Sequence, residues 1–216
     1  MSDERQKGFK DALEAIKHEL TRIYGVWSLL LGLYGPEERR DFIFKRAANF
    51  FWTISDPLID YVILAIAKLL ELSPSRGKEE PSLLKIVRII EPLNEADLCR
   101  ELRRKVRHLK RECEDIKTYR DNRIAHLHFQ THMESEPDLP TSITRNKIEL
   151  VLKEIDKFVN RAARLIGEEW SFIVAGEGGA AKENIIRLAQ SARYEELQSE
   201  GKIPNPDFDL AKYSTI

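Results

Sequence analysis

Tyr119-Arg120-Asp121-Asn122-Arg123-Ile124-Ala125-His126-Leu127 closes a long, charged helical pattern, and the fold is read outward from it. Upstream, Leu98, Leu102, Val106, Leu109, Cys113 and Ile116 recur three and four residues apart. That spacing predicts one narrow apolar seam on a helix capped by Asn94. The next seam positions are Arg120 and Arg123, and Leu127 then restores the pattern. Charge thus replaces hydrocarbon on an inward stripe, which marks the stretch as a site rather than a surface. Arg120 carries a permanent, planar fork of donors suited to a phosphate. His126 exchanges a proton near neutral pH.

Before the seam, Phe9, Leu13, Ile16, Leu20, Ile23, Trp27 and Leu30 form a stripe on a helix from about Glu4 to Leu33. Gly35-Pro36 ends it and opens a second helix reaching about Leu72, with Glu37 and Glu38 in the first turn. That helix is apolar nearly all round, as befits a bundle centre or a subunit interface. Ser55-Asp56-Pro57 is expected to kink or restart it. Ser73 to Glu80 reads as a linker, and Pro81 to Ile90 as a short amphipathic helix closed by Pro92. After the motif comes a polar loop, His128 to Ser142, then a helix from about Thr144 to Ile166. Gly176 to Gly179 reads as a hinge before a helix from about Ala181 to Glu200 and an extended tail. The expectation is an all-α antiparallel bundle of four or five main helices over residues 1–167, with 168–216 as a helical appendage. No internal repeat, strand run or zinc spacing stands out.

Lys and Arg number 35 against 36 Asp and Glu, a net charge of −1. Any nucleic-acid binding must therefore rest on a local patch. Cys99 and Cys113 share one predicted helix, about 21 Å apart at 1.5 Å per residue, too far to pair. A reducing compartment fits. The N-terminus lacks a signal-like apolar core, and Asp56, Pro57, Asp60 and Lys68 interrupt the most apolar region, Ala47 to Leu70. The expected location is cytoplasmic, without membrane contact.

The Arg120–His126 stretch resembles the Arg-x(4–6)-His signature of the HEPN superfamily, with the polar residue which that family places straight after the arginine. Its wording looks most like the abortive-infection branch, and the order of helices over about residues 5 to 167 is similar. The resemblance implies a symmetric homodimer whose motifs face each other across a cleft. It also implies metal-independent RNA cleavage, with a ribose 2′-hydroxyl attacking the adjacent phosphate and DNA inert. On that reading His126 handles the proton, Arg120 stabilises phosphate charge, and Asp121 or Asn122 orients the imidazole or substrate. Residues 120 and 126 on one ideal helix diverge by about 120°, so a second copy helps complete the site. No cofactor is implied; the partners would be RNA and, in a toxin–antitoxin or phage-defence setting, an antitoxin protein. One subgroup adds a tyrosine two residues after the histidine, where this chain has His128. Regulation through that tyrosine by a nucleotidyltransferase partner is not carried over.

Seven cations lie between Arg100 and Arg111, with Glu101 as the one acid. Arg103, Arg104, Arg107, Lys110 and Arg111, with Tyr119 and Arg123, are the candidate RNA contacts. The plain structural reading, a solvated face with pairs such as Glu101–Lys105, weighs about equally. His126, His128 and His132 lack a carboxylate or Cys at metal-ligand spacing, so no metal site is expected. Trp27, Trp52 and Trp170 read as core or interface residues. The alternative to an endoribonuclease is a catalytically silent HEPN-like module that binds a partner protein or nucleotide through the same cleft.

Overall fold

Gly35 makes the first turn of the fold. Its amide donates to the Leu31 carbonyl at 3.0 Å, and an added Cβ would meet that oxygen at 2.5 Å. The chain reverses here between α1 (Asp3–Tyr34) and α2 (Glu37–Leu70). A computed structural model describes residues 3–71, 81–93, 96–125, 141–170 and 177–202. The expected Ser73–Glu80 linker, the Asn94 cap, His126, most of the His128–Ser142 loop with His128 and His132, and the tail lie outside the described residues.

Beyond α2 come α3 (Leu83–Ile90), α4 (Ala96–Glu112), α5 (Glu114–Tyr119), α6 (Arg145–Ala163) and α7 (Glu177–Ser199). Among the described residues there is no strand, and the fold is the all-α bundle that the 3.6-residue stripes predict. The stripes form the main core: Phe9, Leu13 and Ile16 of α1 meet Ile63 and Ile66 of α2, Leu83 and Ile86 of α3, Leu102 and Val106 of α4, and Leu152, Ile155 and Phe158 of α6. Burial of these apolar faces is the main driving force for the bundle. Ser82 and Thr144 cap α3 and α6, accepting from the amides of Lys85 and Lys147 at 3.3 and 3.2 Å.

Three boundaries differ from the sequence expectation. Helix α2 is non-helical at Ala47 (φ −147°, ψ 47°), whereas Pro57 lies inside an unbroken stretch. The carbonyl that Pro57 leaves without a donor belongs to exposed Thr53, where water can satisfy it. Ile43 and Phe51, on either side of the Ala47 kink, join Leu33 and Ile185 in a second apolar cluster. The long seam helix is interrupted at Cys113 (φ −106°, ψ 19°), although the Cys113 amide still donates to Leu109 at 3.0 Å. Helix α7 begins at Glu177 and absorbs Gly178 and Gly179, part of the expected hinge. Glycine lowers helix stability by about 1 kcal/mol without forbidding it.

Helix α7 lies along α1, and Arg46 of α2 bonds its Glu196 at 2.7 Å. Lys17 of α1, buried, binds Glu14 and Glu168 at 2.9 Å each. Its ammonium lies 5.5 Å from the Trp170 ring centroid, tying the segment after α6 to α1. Trp27 packs against the main core, whereas Trp52 is 62% exposed. By length and composition, α2 is the one helix among the described residues able to cross a membrane. Much of its C-terminal half, from Val62 to Leu70, is buried in the bundle.

Candidate functional site

The motif begins where α5 ends. From Arg120 to Ala125 the chain widens into a π-turn, a rare geometry that recurs at functional sites. The Arg120 amide is shared between the carbonyls of Ile116 and Lys117, a bifurcated bond common where an α-helix ends. Just upstream, Thr118 Oγ1 donates to the Glu114 carbonyl at 2.8 Å. Tyr119, 7% exposed, points inward and donates its hydroxyl to Asp60 Oδ1 of α2 at 3.0 Å.

Arg120 is 9% exposed. Asp121 Oδ1 accepts from its Nε at 2.9 Å and its Nη2 at 2.5 Å. Glu71, just past the end of α2, pairs with Nη1. Burial works against the charged guanidinium, but hydrogen bonds and charge from Glu71 and Asp121 outweigh it and raise its pKa further. Asn122 is exposed. Arg123 lies on the π-turn backbone, and His126 falls just beyond the described residues.

A cavity of about 140 Å³ opens beside Arg120, lined by Glu71, Lys110, Cys113, Glu114, Ile116 and Lys117 among others. Burial lowers the pKa of Lys110, with Glu71 opposing that shift. The Cys113 thiol is pushed up to about 12 by burial, which leaves it un-ionised and a poor nucleophile at neutral pH. Lys117 holds Glu114 at 3.2 Å.

The basic residues of α4 divide. Lys110 faces the Arg120 cavity. Arg104, Arg107 and Arg111 are exposed opposite the buried Leu98, Leu102, Val106 and Leu109, with no ion pair to them found among the described residues. Arg100 pairs with Asp97, and Arg103 with Glu91 at 2.8 Å. Lys105 turns to another cleft, of about 400 Å³, with Asp156, Arg164 and Trp170. Among the described residues no group of three or more His, Cys, Asp and Glu side chains is placed to hold a metal ion.

Sequence reasoning missed Glu71 and Lys117. A signal for Glu71 exists. An acid at a helix C-terminus opposes the helix dipole and calls for a nearby cation.

The family model for AbiU2, of HEPN type, matches residues 6–183. The chain belongs to the AbiU2 family. No curated protein and no solved structure matches it. Membership makes it a HEPN-like module of the abortive-infection kind. The AbiU2 match runs from α1 through Arg120 and His126 into α7, past the boundary at 167 expected from the sequence.

Proposed function

We propose that this AbiU2-family chain is a metal-independent endoribonuclease of a phage-defence or toxin–antitoxin system. The carrying observation is Arg120: a buried guanidinium on a π-turn, with two lysines lining the cavity beside it. A buried cation so placed suits an anion that must be read with little competing water.

On this reading His126 takes the proton of a ribose 2′-hydroxyl as the O2′–P bond forms. The P–O5′ bond breaks, leaving a cyclic phosphate and a 5′-hydroxyl once the leaving oxygen is protonated. Arg120 stabilises the charge that builds on the non-bridging oxygens. On the same reading Asp121 orients Arg120, Asn122 orients the imidazole or substrate, and Arg123 contacts RNA. Arg104, Arg107 and Arg111 form a phosphate track on α4, worth most at low salt. A two-fold homodimer brings two motifs together, and the exposed Phe50 and Trp52 of α2, 60% and 62% accessible, support a partner surface there. We place the protein in the cytoplasm, with RNA and an antitoxin protein as partners.

The deciding experiment incubates purified protein with mixed RNA, with and without EDTA, beside a strand carrying a 2′-deoxy sugar at the cut. Cleavage that survives chelator, spares the deoxy strand and leaves a cyclic phosphate is the expected result. No cleavage by protein free of any bound partner would transfer the cleft to the silent binding-module reading. A monomeric mass at micromolar concentration would remove the dimer.

A further inference from the structure

Arg120 presents five N–H donors in one plane. Asp121 Oδ1 covers the Nε/Nη2 edge, accepting from both nitrogens. Being the next residue in the chain, Asp121 travels with Arg120 and sets the plane of the fork. Glu71 is different. It comes from the end of α2, a separate element, and covers Nη1. Beside that contact lies the cavity onto which Lys110 and Lys117 open. Arg120, Lys110 and Lys117 line this small hollow together with two carboxylates, Glu71 and Glu114. Lys117 holds Glu114 at 3.2 Å, so of the two it is Glu71 that meets the fork of Arg120.

The two ends of the ion pair are unequally exposed. The Glu71 side chain is 38% accessible and the Arg120 side chain 11%. Glu71 can therefore regain water at small cost when it leaves. Arg120 cannot, because a buried guanidinium with a lost partner is strongly penalised. The exchange is favourable only when another anion takes the vacated position. Phosphate oxygens meet that demand, since they match the planar fork as a carboxylate does.

We propose that the Glu71 carboxylate occupies the phosphate seat of Arg120, and that RNA binds there by displacing it. This rests on the ribonuclease reading for the identity of the anion. Glu71 is then a positioning residue: it holds the Arg120 fork in place before RNA binds and lowers affinity for anions too weak to compete.

The test compares wild type, Glu71→Gln, Glu71→Ala and the double variant Glu71→Gln/Arg120→Ala, each checked for helical content by circular dichroism. The probe is a short single-stranded 2′-O-methyl RNA, which binds without being cut. Glu71→Gln is expected to bind roughly tenfold tighter, since a like charge has left the seat. The log–log salt dependence should also steepen, and the gain should vanish in the double variant. Phenylglyoxal labelling, read on the Arg120 peptide by mass spectrometry, should rise in Glu71→Gln and Glu71→Ala. Unchanged or weaker RNA binding by both folded Glu71 variants, or equal labelling, overturns the proposal. Tighter binding by Glu71→Gln without cleavage by any protein keeps the seat and removes the nuclease reading instead.

Discussion

Two side chains carry the chemistry proposed for the motif, and they fail differently when replaced. His126→Ala is expected to lower RNA cleavage about 10²–10⁴-fold, the usual worth of a positioned acid–base group. Arg120→Lys should also be inactive, because an ammonium cannot span Glu71 and Asp121, or a phosphate, as a planar fork does. Single-turnover cleavage with circular dichroism as control checks both; full activity in His126→Ala removes the mechanism. Asp115 is one of the carboxylates that contribute to acid stability. Burial pushes its pKa up, but hydrogen bonds from Lys147, Ser142 and the Ile116 amide, with Lys147 at 2.6 Å, bring it below 3.8 overall. A depressed folded-state value contributes stability above the ordinary carboxylate pKa, and that stability is lost as pH falls through the folded value. Asp115→Asn should therefore cost stability at pH 7 and little near pH 2. Urea midpoints at both pH values test it, and an equal cost at the two would contradict the assignment.

Elements depend on how their ends are made. The α1–α2 reversal needs a residue without a side chain at position 35, since a Cβ there would press on the Leu31 carbonyl oxygen at 2.5 Å. Gly35→Ala is expected to destabilise the protein by about 1–3 kcal/mol, the range for forced overpacking. A denaturation midpoint equal to wild type would show that the turn relaxes freely. The seam helix carries a further lesson. Its apolar spacing is continuous through Cys113, yet the backbone departs from helix there and widens again at Arg120. Side-chain period reports which face is inward; it is less sensitive to one residue's change in φ and ψ.

Over the whole molecule, the question is how far α7 belongs to the bundle. Ile185, 7% exposed, packs with Leu33, Ile43 and Phe51. Ile185→Ala is expected to cost about 2 kcal/mol, toward the lower end for a largely buried isoleucine. Coincident fluorescence and circular-dichroism transitions, both shifted, would show α7 unfolding with the rest. An unshifted bundle transition would instead leave residues 168–216 as an independent appendage.

The helical class, the inward stripes and the placement of Arg120 on the seam were legible in the sequence because helical period is local: each residue's face follows from 3.6 residues per turn. The Gly35-Pro36 turn was legible because glycine and proline act on the backbone locally, and the start of α6 near Thr144 was legible because the apolar stripe resumes there. The neighbouring Asp121 was legible as a partner of Arg120, but what meets Arg120 from other helices was not. Glu71 and Lys110 reach its cavity from α2 and α4, and only the packing of those helices decides that they share it. The same holds for Lys17, whose burial depends on Glu168 and Trp170 far along the chain. It holds also for Ala47, where the backbone breaks as Ile43 and Phe51 join a cluster completed by α7. Local periodicity determined which residues turn inward. Contacts between distant elements decided which charges end up paired.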